Sequence, residues 1–309
     1  MQKRLLFLLA FLMTAISSAM AQVTTSSMSG TVVAEGEEII GATVDVVHTP
    51  SGTHYRAVTN EKGVYTINGM RVGGPYQVTV KCIGFSDKTV GGINLQLGET
   101  YNLKTNLSES VKEMQEVTVS AKGSKFSYEQ TGASTNISNE QMLAMPTVSR
   151  SVTDFTRLSP YGGNGMTFQG SDGRTANFTV DGANFNNNFG LSSSLPGGGN
   201  PISMEAIEEL QVVISPFDVR QTGFIGGALN AITKSGTNTF KGQAYIYHQN
   251  ENMRGDAVES EFISGSRDKD RTTTYGFSLG GPIIKNKLFF FVNGELVKSP
   301  GTGTPWRAS

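Results

Sequence analysis

The residues best suited to bind a ligand cluster in two long loops rich in glycine, asparagine and aromatic side chains. The first loop spans 160–174 and the second spans 182–201. Amide groups can hydrogen-bond a polar solute while aromatic rings pack on it, so these loops are predicted to recognise a small polar molecule. The candidate binding residues are Tyr161, Asn164, Phe168, Arg174, Asn184, Phe185, Asn187 and Phe189. Flexible loops that only contact solvent are the alternative interpretation.

The sequence contains no pattern that predicts catalysis or metal binding. His48, His54 and His248 are scattered along the chain without the spacing of metal ligands. No Ser–His–Asp set, carboxylate pair or phosphate-binding loop is recognisable, so we expect no enzyme activity and no cofactor. The single cysteine, Cys82, lies at an alternating strand position and is predicted to be a small core residue rather than a reactive thiol. The net charge of -1 over 309 residues gives no basic surface for nucleic acid.

The N-terminus has the features of a secretory signal peptide. A basic pair precedes an apolar run over 5–16, and Ala19 and Ala21 are the small residues that a signal peptidase reads. We therefore predict a signal peptide over 1–21. The apolar run is too short for a membrane-spanning helix, and no stretch of about 18 apolar residues follows it. Any part of the protein that enters a membrane is thus expected to cross it as strands.

Residues 22–108 alternate between apolar and polar side chains in short runs that are separated by turn signals. Runs of this length and spacing predict a small all-β sandwich. A hairpin turn is predicted at 60–63, where Gly63 can adopt a positive φ. The predicted strands span 30–33, 42–47, 55–59, 63–67 and 76–80.

Residues 124–236 combine short helices, strands and glycine-rich loops. Ser138 and Gln141 have the spacing of a capping box and predict a helix that ends before Pro146. Apolar residues recur every three positions over 152–158, which predicts a second short amphipathic helix. The almost entirely apolar run 210–214 is typical of a strand that is buried on both faces. Together these features predict an α+β domain.

Three long alternating runs follow this domain. They span 239–249, 272–282 and 287–297. Each has about the length of a tilted strand that spans a membrane, with one apolar and one polar face. A tight turn at 284–287 and a long charged loop over 250–271 match the loop asymmetry of outer-membrane barrels. We predict the first strands of a transmembrane antiparallel β-barrel over 237–309, and a soluble β-sandwich is the alternative. Because three strands cannot close a barrel, the protein is expected to continue beyond residue 309.

The segment 115–121, QEVTVSA, is a short strand with no partner in the neighbouring sequence. Its backbone N–H and C=O groups would be an aggregation hazard unless another strand is meant to pair with them. The residues predicted to make this contact are Gln115, Glu116, Val117, Thr118, Val119 and Ser120. The alternatives are a plain linker strand and a strand that docks on the sandwich.

Several motifs resemble those of a known family. The strand order over 29–85 resembles the carboxypeptidase regulatory-like domain, an immunoglobulin-like sandwich. Segment 168–187 resembles a plug-domain strand that leads into an Asp-Gly turn, and segment 201–238 resembles the closing motif of a plug. The matching positions in the second segment are Ile207, Glu208, Glu209, Leu210, Gly226, Gly227, Asn230, Ile232, Thr233 and Lys234. The whole order resembles a TonB-dependent outer-membrane receptor, of the Oar-like rather than the SusC-like kind.

The resemblance implies a mainly β protein that transports a solute across the outer membrane of a Gram-negative bacterium. The implied parts are a signal peptide (1–21), a carboxypeptidase regulatory-like sandwich (22–108), a linker with a TonB-box-like strand (109–123), a plug domain (124–236) and the first barrel strands (237–309). The sandwich and the plug would lie on the periplasmic side or in the barrel lumen. The segment 115–120 would add as a strand to TonB, which belongs to an inner-membrane motor complex. Other implied partners are outer-membrane lipid, a small solute or oligomer as substrate, and a surface lipoprotein as a candidate lid.

Two classes of function stay open on the sequence. One is energy-coupled uptake of a solute, and the other is a secreted or surface-bound adhesion module that binds carbohydrate or protein without transport. Many further alternating strands after residue 309 would favour the receptor, and an early stop codon would favour the module. Peptide, siderophore, glycan and cobalamin all fit as substrates.

Overall fold

A computed structural model describes most of the chain between residues 23 and 299. The described residues are 23–109, 117–120, 132–147, 150–186, 195, 200–216, 221, 223–253, 257–258, 261–262 and 271–299. The predicted signal peptide lies outside them. The chain divides into two compact units, of which the first ends at Lys234 and the second begins at Ser235.

The first unit begins with two sheets that enclose one apolar core. Their strands are β1 (Ser26–Ala34), β2 (Glu37–Glu38), β3 (Thr43–His48), β4 (Thr53–Val58), β5 (Val64–Met70), β6 (Gly73–Lys81), β7 (Lys88–Leu95), β8 (Thr100–Leu107) and β9 (Val117–Ser120). In the first sheet, β1 pairs with β2 and β5 in antiparallel and with β8 in parallel orientation. The second sheet has the order β4-β3-β6-β7-β9. Met28, Val44, Tyr65 and Val78 come from both sheets and share one buried cluster, so this part of the chain is a β-sandwich.

Local sequence explains most of the sandwich. Side chains alternate between the two faces of a strand, and every second residue of β1 is buried. The predicted strands are confirmed as β1, β3, β4, β5 and β6, whereas β7 and β8 were not predicted. The turn between β4 and β5 is confirmed, because the Asn60 side-chain oxygen accepts the N–H groups of Lys62 and Val64 at 2.9 and 3.0 Å, and Gly63 has a φ of +65°. Cys82 packs against the core, as predicted.

The rest of the first unit, which we call the middle domain, is built on a five-stranded sheet. Its strands are β10 (Gly132–Ser138), β11 (Asn177–Val180), β12 (Ala183–Asn184), β13 (Ile207–Pro216) and β14 (Ala228–Thr233). They lie in the order β10-β13-β14-β11-β12, and β11 pairs with β14 in parallel orientation. All residues over 209–214 are buried, which confirms the predicted strand with two covered faces.

Two capped helical segments flank this sheet. The predicted helix is confirmed as α1 (Asn139–Ala144), with a capping box between Ser138 and Gln141. The second predicted helix, Val152–Leu158, is a 3₁₀ helix that begins with a capping box at Ser151. Its apolar residues recur every three positions because a 3₁₀ helix has three residues per turn. Further 3₁₀ turns span Gly173–Thr175, Met204–Ala206 and Glu251–Met253.

The second unit contains three long strands in one antiparallel sheet. They are β15 (Lys241–Asn250), β18 (Arg271–Ile284) and β19 (Leu288–Lys298), in that spatial order. A small hairpin of β16 (Ala257–Val258) and β17 (Glu261–Phe262) lies in the connection between β15 and β18. The predicted tight turn is confirmed by the hydrogen bond of 3.1 Å from the Lys287 N–H to the Ile284 carbonyl. All three predicted strands are therefore confirmed.

Within the described residues, no helix combines the length and the apolar character that a membrane crossing demands.

Candidate functional site

The segment predicted to be an unpaired strand has a partner within the chain. Its described part, β9, pairs in parallel with β7, from Lys88 opposite Val117 to Gly91 opposite Ser120. The prediction of a free strand is therefore wrong for this structure, and the alternative of docking on the sandwich is the one observed. The sequence pattern missed the pairing because β7 itself was not predicted. Gln115 and Glu116 lie outside the described residues.

β7 bends where its pairing with β9 ends. Between the pairs Val78–Val90 and Tyr76–Ile93, β7 has one residue more than β6. This β-bulge includes Gly92, whose φ of +77° is a conformation that residues with a side chain rarely adopt. The last described pair between β7 and β9, Gly91 with Ser120, thus lies next to this bulge.

The first predicted binding loop, 160–174, is held by its own hydrogen bonds. The Gln169 N–H donates to the Tyr161 carbonyl at 2.9 Å, and the Gly163 N–H donates to the Thr167 carbonyl at 2.8 Å. The Tyr161 side chain is half exposed, and the Asn164 side-chain oxygen accepts a hydrogen bond from Arg157. The loop is thus a closed, internally bonded structure that presents Tyr161 to solvent.

Phe168 does not line the surface of this loop. It is fully buried in the core of the middle domain, so it cannot contact a solute in this structure, and its prediction as a binding residue is corrected. Its ring lies over Gly227, where an added Cβ would come within 2.5 Å of the ring carbons. Phe168 therefore anchors the loop immediately before β14, and the missing side chain of Gly227 provides the necessary space.

Arg174 is accessible at the end of the same loop. The Asp172 side chain accepts the Arg174 backbone N–H at 3.0 Å and caps the short 3₁₀ turn. The Asp172 carboxylate also lies 3.6 Å from the Arg174 guanidinium, with both side chains more than half exposed. An exposed pair of this kind contributes little to stability, so the guanidinium is available to an anionic or polar ligand.

The second predicted loop begins with a tight turn between β11 and β12. Asp181 and Gly182 both have positive φ values, as a two-residue hairpin of type I′ requires. The Asn184 side-chain oxygen accepts the N–H of Asn186 at 2.7 Å. Phe185 packs edge-on against Phe178 with 6.5 Å between the ring centroids and remains partly exposed.

The exposed candidate residues of the two loops are not joined by polar or ring contacts. In the described part of the chain, Tyr161 and Asn164 make no hydrogen bond or ring contact with Asn184 or Phe185. Buried residues of both loops do share the core of the middle domain, since Met166 and Phe168 of the first loop and Leu195 of the second lie in one apolar cluster. Asn187 and Phe189 lie outside the described residues.

A junction between the sandwich and the middle domain was not predicted. Leu97, in the turn between β7 and β8, is fully buried, and its N–H donates to the Glu209 carboxyl at 3.0 Å. The Gln211 side chain donates to the Leu97 carbonyl at 2.6 Å. Val23 and Val72 pack with Leu97, and Ile232 lies against them. We call this contact the Leu97 junction; it fixes the sandwich on β13 of the middle domain.

The sequence contained a signal for this junction. Glu209 and Gln211 are the polar residues next to Leu210 in a stretch whose following residues 212–214 are all apolar, and buried polar groups need hydrogen-bond partners. The pKa of the Glu209 carboxyl is raised to about 8, mainly by burial and also by the neighbouring carboxylates of Glu99 and Glu208, against the opposing effect of the Leu97 N–H. Glu209 is therefore mostly protonated below that pH, which lowers the cost of burying it.

A buried polar ladder continues from the Leu97 junction across the sheet. The Asn230 amide donates to the Gln211 side-chain oxygen at 3.3 Å, and the Thr179 hydroxyl donates to the Asn230 oxygen at 2.8 Å. These residues lie on β13, β14 and β11 in turn. The ladder satisfies each of the three side chains and fixes the register of the strands between the junction and the Asp181 turn.

The second unit presents one continuous apolar face. The register aligns Gly242, Leu279 and Val292 in one row on this face. Two further rows on the same face carry the large apolar side chains of Phe277, Ile246, Tyr275 and Leu296. Exposed apolar residues on this face include Ile246, Tyr275, Phe277, Leu279, Val292 and Leu296. A patch of this extent is unusual on the surface of a monomer in water and fits contact with lipid.

The opposite face of the same sheet carries most of its polar side chains, beside Tyr247, Phe289, Phe291 and Val297. The Tyr245 hydroxyl donates to the Glu295 carboxylate at 2.7 Å, and Gln243, Ser278 and Asn293 form one row across the three strands. Gly276 lies beneath the Tyr245 ring, where an added Cβ would come within 2.1 Å of it. The two faces therefore differ in polarity as the alternation in the sequence predicted.

Comparison with known proteins supports two of the parts described above. Residues 27–108 match the carboxypeptidase regulatory-like domain, and residues 232–306 match an outer membrane beta barrel domain. The first match covers the sandwich and the second covers the three long strands. The chain is thus a mainly β protein with one part from each of these two domain families.

The chain is also similar to a characterised transporter. It is 29% identical over 150 residues to the TonB-dependent transporter Oar of Myxococcus xanthus, which covers 46% of this chain and 14% of that protein. With the two domain matches, this similarity confirms the predicted resemblance to Oar-like TonB-dependent transporters.

Two solved structures are more distantly similar. The siderophore receptor PirA from Acinetobacter baumannii is 22% identical with a TM-score of 0.40, over 54% of this chain and 24% of that one. PirA from Pseudomonas aeruginosa is 23% identical with a TM-score of 0.39, over 55% and 28% of the two chains. The chain thus spans between a seventh and about a quarter of the lengths of Oar and the two PirA receptors.

Proposed function

We propose that this chain belongs to an energy-coupled receptor that takes up a solute across the bacterial outer membrane and catalyses no reaction. It supplies an immunoglobulin-like sandwich, a plug domain (the middle domain) and the first strands of a transmembrane barrel. The observation that carries the proposal is the second-unit sheet. Its continuous exposed apolar face suits lipid, and its polar opposite face suits a wet lumen.

Substrate recognition is assigned to the loops of the middle domain. Tyr161 and Phe185 offer partly exposed aromatic surfaces, and Arg174 offers an accessible guanidinium. Asn164 and Asn184 add amide groups, and Asn187 and Phe189 complete the proposed set. This combination fits a polar solute that carries apolar surface.

Energy coupling is assigned to the segment 115–120, which we call the coupling strand. Addition of a strand to a sheet edge of TonB uses main-chain hydrogen bonds, so the segment needs an extended backbone more than particular side chains. Its described part is already extended in β9. The proposed cycle is solute binding, engagement of the coupling strand by TonB, and a pull that rearranges the plug.

Replacing the coupling strand in the full-length receptor tests this function. A glycine–serine stretch of equal length preserves the linker but removes the β-prone residues. We expect the variant to reach the outer membrane and bind its solute but to lose uptake, measured with labelled peptides, ferric siderophores, oligosaccharides and cobalamin. The control is the same replacement at 250–255, in the predicted external loop. If the coupling-strand variant takes up solute as fast as the control, the proposed function is wrong.

A further inference from the structure

The two edges of the second sandwich sheet are protected in different ways. The outer edge is β4 on one side, where His54 and Arg56 lie 3.2 and 3.1 Å from the Asp45 carboxylate of β3. Charged side chains on an edge strand discourage the addition of another strand. On the other side, β7 has one charged residue, Lys88, and its remaining residues are uncharged. The Lys88 ammonium donates to the Asn106 carbonyl at 2.8 Å. Without β9, β7 would be the less protected edge.

The coupling strand covers this edge through the backbone. Parallel pairing over four residues uses N–H and C=O groups of β9 that strand addition to another protein also requires. The described pairing ends next to the bulge at Gly92. A short backbone pairing is strong enough to place a segment and weak enough to be exchanged, since each hydrogen bond contributes modestly to stability in water.

We propose that β7 is a storage edge for the coupling strand, and that TonB receives the strand only after it has left β7. This inference rests on the proposed function and adds a form of regulation to it. The storage edge keeps the β-prone segment paired between transport events. It also makes release from the sandwich a necessary step in coupling.

The Leu97 junction gives the mechanical reason for release. While β9 is paired with β7, a pull on the coupling strand also loads the sandwich, which Leu97 fixes to Glu209 and Gln211 of the middle domain. After release, the pull reaches the middle domain through the chain segment 121–131 and arrives first at β10. β10 is an edge strand that pairs with β13, so it is the strand of this sheet most directly exposed to the load.

A reversible crosslink between β7 and β9 tests the proposal. Gly91 lies opposite Ser120, and an added Cβ at Gly91 meets no atom within 4 Å. We therefore place Gly91→Cys and Ser120→Cys in the full-length receptor, with Cys82→Ser to remove the native thiol. Directly opposed residues of neighbouring strands have the Cα separation that a disulfide requires. The readout is capture of the purified periplasmic domain of TonB by the oxidised and by the reduced receptor in detergent.

We expect the substrate-free receptor to crosslink readily, the oxidised form to lose capture, and reduction to restore it. The matched control is the pair Asp45→Cys and Arg56→Cys, which are opposed on β3 and β4 of the same sheet and should leave capture unchanged in both redox states. Equal capture by the oxidised and reduced test pair would overturn the proposal, and so would failure of the test pair to crosslink. If no form of the receptor captures TonB while the crosslink still forms, the proposed function fails and the pairing stands.

Discussion

At the scale of single residues, Glu209 links the sandwich to the middle domain through a buried carboxyl. Its pKa is raised to about 8 by burial, so folding favours its protonated form. The stabilising contribution is fully present at pH values below the ordinary carboxyl pKa, and it is lost as the pH rises through the raised value. The junction is therefore expected to weaken in alkali.

Substitution of Glu209 tests this pH dependence. Between about pH 5 and about pH 9, the wild-type urea midpoint should fall, because deprotonation leaves a buried charge near Glu99 and Glu208. In Glu209→Gln the fall should be smaller, since the amide oxygen still accepts the Leu97 N–H and carries no titrating proton. Glu61→Gln, in the exposed turn before β5, is the control. An unchanged pH profile in Glu209→Gln would assign the dependence to other groups.

Gly227 tests the packing that anchors the first loop. Gly227→Ala places a methyl group within 2.5 Å of the Phe168 ring, so it should destabilise the chain by roughly 1–3 kcal/mol, in the range of overpacked cores. Gly91→Ala, where the added methyl meets open space, should change stability far less. Urea unfolding of both variants measures the difference, and equal stabilities would show that the Phe168 ring moves aside freely.

The exposed aromatic residues of the middle domain test the proposed binding surface. Once the uptake measurements with labelled solutes have identified the one that is transported, Tyr161→Ala and Phe185→Ala should each weaken its binding by about tenfold. This is the loss expected for an aromatic contact worth more than about 1 kcal/mol. Leu143→Ala on α1, which is also half exposed, is the control. Isothermal titration of the full-length receptor measures the affinities. Wild-type affinity in both aromatic variants would place the binding surface elsewhere.

At the scale of elements, the strands of the second unit carry the proposed membrane face. Phe277 and Ser278 are neighbours on β18 whose side chains lie on opposite faces of the sheet. Phe277→Arg should disfavour folding into lipid vesicles by about 2–4 kcal/mol if it lies near the bilayer centre, whereas Ser278→Arg should have little effect. The readout is the folded fraction of the full-length receptor on gels without heating. Equal effects of both substitutions would argue against a lipid face.

Local sequence patterns predicted most strands and helices, but they did not predict which strands pair or which loop residues are buried. The alternation of apolar and polar residues identified β15, β18 and β19, a capping box identified α1, and apolar residues at every third position identified the 3₁₀ helix over 152–158. β7 was missed because Gly91 and Gly92 interrupt its alternation. The pairing of β9 with β7 and the burial of Phe168 depend on parts of the chain that are far apart in sequence, and no local pattern encodes a partner.

At the scale of the whole molecule, the proposed mechanism gives a role to each of three parts. In this mechanism the sandwich stores the coupling strand on β7, the Leu97 junction fixes the sandwich to the middle domain, and the exposed apolar face of the second unit contacts lipid. Uptake that is powered from the inner membrane would use all three: a strand for TonB, a fixed sandwich and a surface that contacts lipid.

The central claim is that TonB binds the coupling strand, and crosslinking in living cells tests this claim most directly. Val119→Cys in a Cys82→Ser receptor is combined with single cysteines along the edge strand of the TonB periplasmic domain. We predict a disulfide-linked complex at cysteine positions of one strand register, with a yield that rises when the solute is added. A receptor that forms no such complex at any position, with or without solute, while it still imports the solute, would contradict the account.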